Sequence, residues 1–165
     1  MNSSNSLLVF LSGHIHGPEI GQDWRAKICQ LSKTRNLPVT FKGPCEDHHR
    51  SDNIGVQTRG ISENEVGSPT YFSVVQDDLG GRINALRNGI WISKCDLLIA
   101  FFDDKNYRQW NTSSDIGEAA RHGKPVIVVH DPKFRHPLKE LNGRTDAVVG
   151  SLEKAVDILS YICEK

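Results

Sequence analysis

The sequence predicts a single α/β domain on a doubly wound, five-stranded parallel sheet, and three observations predict it. Its strand-length segments read as continuous apolar blocks, the signature of strands covered on both faces. Between them lie segments whose apolar residues recur at spacings of three and four, the period of an amphipathic helix. The chain has 165 residues, enough for one compact domain with a real core and short of two ordinary ones. Residues 1–6 read as a flexible N-terminus and residues 7–165 as the domain.

The elements follow in order. Leu7-Leu-Val-Phe-Leu11 is an unbroken apolar run that stops at Ser12-Gly13, a buried strand followed by a turn. From about Asp23 to Arg35, Trp24, Ile28 and Leu31 repeat at helical spacing, with Asp23 available as N-cap. Pro38 to Lys42 is a short second strand stopped by Gly43-Pro44. Residues 43 to 70 show no convincing period and read as a long polar loop, a feature that in a small domain is usually functional. Helical spacing resumes near Asp77, through Leu79, Ile83, Leu86 and Ile90, and leads to the strand Asp96 to Phe102. A helix then starts near Thr112 or Ser113, where a hydroxyl serves as cap, and ends at Gly123 with Pro125 beyond. Pro125 to His130 is a fully apolar strand, a short helix is marked by Pro137, and Asp146 to Val149 is the last strand. Ser151 caps the final helix, whose Leu152, Ala155, Val156, Leu159, Ile162 and Cys163 make one inward face.

Composition narrows the class of function. Twenty Lys and Arg balance twenty Asp and Glu, and 38% of residues are hydrophobic, which excludes a disordered polyelectrolyte and argues against binding a nucleic-acid polymer. A neutral surface suits a small-molecule ligand. Cys29, Cys45, Cys95 and Cys163 form no CxxC pair, so neither a zinc knuckle nor a dithiol redox centre is expected, and the thiols read as reduced in a cytoplasmic protein. The longest apolar runs are strand-length, far below the ~20 residues that cross a bilayer, and Met1 to Ser6 lacks the positive charge of a secretory leader. No cofactor and no resident metal are expected.

In a doubly wound sheet, ligands bind beyond the carboxyl ends of the strands, where strand order reverses. Three segments fall at such ends and are rich in ligand-bonding side chains. The first is Ser12-Gly13-His14-Ile15-His16, and the second runs from Glu46 through Asp47, His48, His49, Arg50, Ser51, Asp52 and Asn53. The third runs from Asp103 through Trp110, Asn111 and Thr112 into a helix that carries Asp115 and Glu118. A carboxylate in the first turn of a helix gains ~0.3–1 kcal/mol from the helix dipole, which suits Asp115 to act as a nucleophile. Trp110, set among polar neighbours, reads as a ring that stacks on a ligand. The histidines at positions 14, 16, 48 and 49 leave open a metal-dependent hydrolase, although no recognised ligand spacing supports it.

Asp115-Ile-Gly117-Glu-Ala119, followed by Gly123-Lys124-Pro125, and the strand opened by Asp96 resemble the nucleoside 2-deoxyribosyltransferase superfamily. Asp47-His-His-Arg50-Ser-Asp52-Asn-Ile-Gly55, Gln76-Asp77-Asp78, Gln109-Trp-Asn-Thr112 and His136-Pro-Leu-Lys-Glu140 are similar to its YtoQ branch, over residues 7 to 163. The resemblance implies a flavodoxin-like fold and a double displacement at the anomeric carbon of a nucleoside, with Asp115 at the nucleophile's place. It also implies a homo-oligomer, a dimer or larger. The chain has Asp115 where the family pattern has Glu, Gln109 and Asn111 where it has Asp and Gly, and Asn88 in place of an Asp that exchanges protons with the base. Asp77 and Asp78 are the substitutes for that acid, and Glu118, one turn after Asp115, is the second candidate nucleophile.

The leading expectation is therefore an enzyme that cleaves or transfers the N-glycosidic bond of a nucleoside or nucleotide. Gly13, His14, Asp47, His48, His49, Arg50, Asp52, Asn53, Trp110, Asn111 and Thr112 form the expected substrate wall, and Asp115, Glu118, Asp77 and Asp78 are the candidate catalytic carboxylates. A module of the same fold that binds a nucleotide without turning it over is the rival reading.

Overall fold

The computed structural model describes residues 6–15, 23–44, 50–59, 69–104 and 110–164. Along the chain run β1 (Leu7–Gly13), α1 (Asp23–Thr34), β2 (Val39–Lys42), α2 (Arg50–Arg59), α3 (Pro69–Lys94) and β3 (Leu97–Phe101). They are followed by α4 (Trp110–Arg121), β4 (Val126–Val129), a 3-10 turn (Pro132–Phe134), α5 (Lys139–Asn142), β5 (Ala147–Val149) and α6 (Leu152–Cys163). All five strands are parallel, in the order β2-β1-β3-β4-β5. The chain winds outward from β1 to β2, then returns to lay β3 on the other side of β1, so strand order reverses between β1 and β3. The predicted fold class is the one observed.

Two compact units are distinguished, Met1–Gly43 with Trp91–Lys165, and Pro44–Ile90. The first holds the sheet. Alternate residues of its strands enter two cores, because successive side chains on a strand point to opposite faces. Val9, Leu11, Leu97, Ile99, Ile127 and Val129 pack with Trp24 and Ile28 of α1 and with Leu152, Ala155, Val156 and Leu159 of α6. Phe10, Leu98, Ala100, Val126 and Val128 pack with Ile92, Cys95, Ile116, Ala119, Phe134 and Leu138 on the other face. Each aliphatic side chain so buried contributes ~1.5–3 kcal/mol of transfer free energy, and the double cover explains why the strands read as solid apolar runs.

Two aspartates tie the amino ends of the strands to their neighbours. Leu8 N donates to Asp96 Oδ2 and Val126 N to Asp146 Oδ2, each at 2.8 Å. Both groups precede the next strand, where a carboxylate satisfies an amide that the parallel ladder leaves open. At the far end of α4, Gly123 adopts φ +64°, the left-handed conformation that ends a helix and that glycine reaches without a Cβ penalty.

The second unit overturns the long-loop expectation for residues 43–70, since Arg50–Arg59 is helix α2. Its buried residues are Ser51, Gly55 and Val56, a single large apolar group, so no hydrophobic period marks it. A Cβ on Gly55 would lie 2.7 Å from Leu79 Cβ, Asn84 Nδ2 donates to Ser51 Oγ at 2.7 Å, and Gln76 Nε2 donates to Asn53 Oδ1 at 3.2 Å. Helix α3 begins at Pro69 and not near Asp77; proline suits a first helical position, where its missing N–H loses no bond.

Three other expectations are refined. Helix α4 starts at Trp110, ahead of Thr112 and Ser113. Trp91 packs against the core beneath β1 and β3, with Lys42 Nζ 4.2 Å from its ring centre, whereas Leu86 and Ile90 are exposed. The inward face of α6 ends at Leu159, since Ile162 is 48% exposed. The expected flexible segment falls mostly on residues 1–5, outside the described residues. No helix among the described residues is long and apolar enough to cross a membrane.

Candidate active site

The site at the reversal of strand order is built from the end of β1 and from α4. Ser12 is 1% exposed, the first polar side chain after an apolar run, and its Oγ donates to Asp115 Oδ2 at 2.6 Å. That length is typical of a hydroxyl donated to a carboxylate. Because α4 starts at Trp110, Asp115 stands in the second helical turn, and the first turn holds no acidic residue. This corrects the first-turn expectation. The dipole acts mainly within the first turn, whereas the Ser12 hydroxyl bonds the carboxylate directly.

The floor of the site is rigid for stated reasons. A Cβ on Gly13 would lie 2.7 Å from Trp24 Cζ2 and 3.1 Å from the Phe101 carbonyl oxygen, so only glycine lets the indole pack beneath the strand end. Trp24 stacks on Phe101 with ring centres 5.0 Å apart. Arg25, 7% exposed, lies over the same indole at 4.4 Å. Its Nη1 donates to the His14 carbonyl at 2.7 Å and its Nη2 to the Gly13 carbonyl at 3.1 Å. One guanidinium therefore stacks on an aromatic ring and holds two successive carbonyls of the β1 turn, a task that suits its planar fork.

Glu118 is occupied differently. Arg121 grips it through Nε at 3.0 Å and Nη2 at 2.5 Å, and His122 Nε2 lies 3.1 Å from Oε1. The hydrogen bond from Arg121 holds its carboxyl down at about 2. Glu118 is thus bound to a cation of its own helix. On the same helix Trp110 is 84% exposed, Asn111 is exposed and Thr112 is 1% exposed. Buried Thr112 presents no surface to a ligand, unlike its two predecessors.

The other expected site residues belong to the Pro44–Ile90 unit. Arg50 and Asn53 are exposed, and Asp52 is half-buried against α3 at Gly80. Asp77 and Asp78 are exposed on α3, and Arg82 Nε donates to Asp78 Oδ2 at 3.1 Å. Asp47, His48 and His49, together with His16, lie outside the described residues. Among the described residues, no group of three or more His, Cys, Asp or Glu side chains stands together as a metal site.

Ser12, Trp24 and Arg25 are the residues that pattern reading missed. Ser12 carries a faint signal, a small hydroxyl at the carboxyl end of an apolar strand. Arg25 carries none, since a basic residue on an amphipathic helix is ordinarily exposed. Trp24 was legible only as core.

The family sequence model described as nucleoside 2-deoxyribosyltransferase YtoQ matches residues 10–163. The chain belongs to that family. Within it, the uncharacterized protein YtoQ of Bacillus subtilis (strain 168) is 38% identical over 157 residues, covering 95% of this chain and 97% of the relative. Among solved structures, a conserved protein from Enterococcus faecalis V583 superposes with a TM-score of 0.60 at 15% identity, over 94% of this chain and 98% of that one. The 2-deoxyribosyltransferase of Bacillus psychrosaccharolyticus superposes with a TM-score of 0.51 at 17% identity, over 91% and 90% of the two chains. At those identities the likeness is one of fold. Family membership and fold together make this a nucleoside 2-deoxyribosyltransferase-like protein.

Proposed function

We propose that the protein breaks and reforms the N-glycosidic bond of a deoxynucleoside or deoxynucleotide, with Asp115 as the nucleophile. The observation that carries this reading is the Ser12–Asp115 hydrogen bond, which sets a carboxylate at the reversal of strand order, the place where doubly wound sheets bind ligands. An Asp115 oxygen attacks C1′ as the bond from C1′ to the base nitrogen breaks, and the bonding pair leaves with the base. For the proton that neutralises that nitrogen the sequence offers the carboxyl of Asp77 or Asp78. A second base, or water, then gives its N–H or O–H proton back to the donor carboxylate as it attacks C1′ of the glycosyl ester and releases Asp115, so two displacements return the original anomeric configuration. The exposed Trp110 ring stacks on the base and Asn111 holds a sugar hydroxyl, and the sequence motif offers His48, His49, Arg50 and Asp52 as further substrate contacts.

The test offers deoxynucleosides and deoxynucleoside monophosphates, each with a free acceptor base, and resolves products by chromatography. Base exchange or base release by the protein, abolished in Asp115→Ala and retained in Glu118→Gln, is the expected result. Absence of turnover across the panel overturns the proposal. Thermal stabilisation by one of these ligands without product would mark the protein as a binding module instead.

A further inference from the structure

The Ser12 hydroxyl is a buried group bonded directly to the proposed nucleophile. It is 1% exposed, lies at the carboxyl end of a central strand, and donates across to another element 103 residues away in sequence. A buried hydroxyl needs a hydrogen-bond partner, and a backbone carbonyl would have met that need. Its partner is instead the carboxylate of α4. We infer that Ser12 is a positioning residue for Asp115: it clamps Oδ2 to the rigid end of β1, fixes the rotation of the carboxylate, and favours its ionised form. This rests on the reading of Asp115 as the nucleophile.

Helix α4 packs against β1, β3 and β4, and over Leu7–Gly13, Leu97–Phe101 and Val126–Val129 those strands carry no titratable side chain. Among the described residues, the titratable groups just past the strand ends are His14, Asp103 with Asp104, and His130 with Asp131. Asp104 is paired with Lys133, and the His130 ring is bonded to the Asp131 carbonyl and to Asn142. On α4 itself, Glu118 is paired with Arg121 and His122. Asp is one methylene shorter than Glu, so its carboxylate cannot reach far from the helix. A fixed anchor on the neighbouring strand then matters more, because displacement of a reacting group by about 1 Å costs on the order of a hundredfold in rate.

The test follows the titration of the Asp115 carboxyl carbon by NMR in the native protein, Ser12→Ala and Ser12→Thr, with Asp115→Asn identifying the resonance. Removing a donor to the charged form raises a carboxyl pKa. Asp115 should therefore titrate about one pH unit higher in Ser12→Ala and near its native position in Ser12→Thr, which keeps the hydroxyl. Nucleoside turnover measured on the same proteins should show kcat lower by about 10- to 100-fold in Ser12→Ala, with KM held within about threefold and the acid limb of the profile displaced upward. If Ser12→Ala does not fold, Ser12→Cys keeps the volume with a weaker donor and should give the same titration change. An unchanged Asp115 titration in the folded variant overturns the inference. A changed titration with no turnover by any of the proteins would uphold the clamp and overturn the catalytic reading; loss of turnover in Asp115→Ala with kcat and titration unmoved in Ser12→Ala would do the reverse.

Discussion

Gly80 of α3 leaves the space that Asp52 of α2 occupies: a Cβ at position 80 would lie 2.8 Å from the Asp52 Cα and would meet its carboxylate. Helix α2 has little apolar surface of its own, so this close approach is part of what seats it. Gly80→Ala should therefore destabilise the protein by ~1–3 kcal/mol through overpacking. Gly81→Ala should be neutral or stabilise by up to ~1 kcal/mol, since among the described residues nothing lies within 4 Å of a Cβ there. Urea unfolding of the pair checks this, and equal effects at the two positions would refute the packing argument.

Arg25→Lys keeps the charge and loses the fork. Lysine cannot hold the Gly13 and His14 carbonyls while stacking on Trp24, and buried acceptors that lose a charged donor cost ~1–3 kcal/mol. Thermal unfolding should register that loss, with a fall in nucleoside turnover because the turn that follows Ser12 is no longer braced.

Glu118 links stability to acid pH. Its carboxyl is held at about 2 against an ordinary 4.5, so the pair with Arg121 stabilises the folded state above the unfolded value and is lost as pH falls through the folded one. Glu118→Gln should be less stable by no more than ~0.5 kcal/mol at neutral pH, the scale of a surface pair. The difference should vanish between about pH 4.5 and about pH 2. A difference that grew on acidification would contradict the assignment.

Trp110 is 84% exposed, so its truncation removes no core. Trp110→Ala should leave unfolding unchanged within ~0.5 kcal/mol while raising KM for a nucleoside about tenfold, as expected where a base loses an aromatic stacking partner. An unchanged KM would remove Trp110 from the proposed site.

Cys95 is 1% exposed, and burial pushes its thiol up to about 11, with Asp96 adding to the effect. Roughly one such thiol in a thousand is ionised at pH 8, and the thiolate is the reactive form. Iodoacetamide followed by peptide mapping should find Cys95 protected in the folded protein and labelled in urea. Labelling at the rate of an open thiol in the native state would count against the burial.

How much was legible depends on how each contact is made. Leu97 to Phe101 and Val126 to Val129 are apolar at every position because both sheet faces are covered, so they announce themselves as buried parallel strands. Gly123 and Ser151 mark helix ends through backbone chemistry that is local. Helix α2 was illegible because Val56 is the one apolar residue on its buried face, beside Ser51 and Gly55, residues that also make loops. Asp115 was found through its motif, but its environment was misjudged, since a helix start displaced from Thr112 to Trp110 moves it from the first turn to the second.

The sequence by itself determined the parallel sheet, the order of its helices and strands, and the segment that carries the candidate nucleophile, because periodicity, capping and turn chemistry are read over a few neighbouring residues. Only the tertiary structure decided that Ser12 holds Asp115, that Arg121 and His122 hold Glu118, and that Arg25 braces the turn after β1. The Ser12–Asp115 bond joins groups 103 residues apart, and no local pattern encodes a contact that exists only once β1 and β3 lie side by side with α4 packed against them. The proposed choice of Asp115 over Glu118 rests on those contacts, Ser12 for the one and Arg121 with His122 for the other.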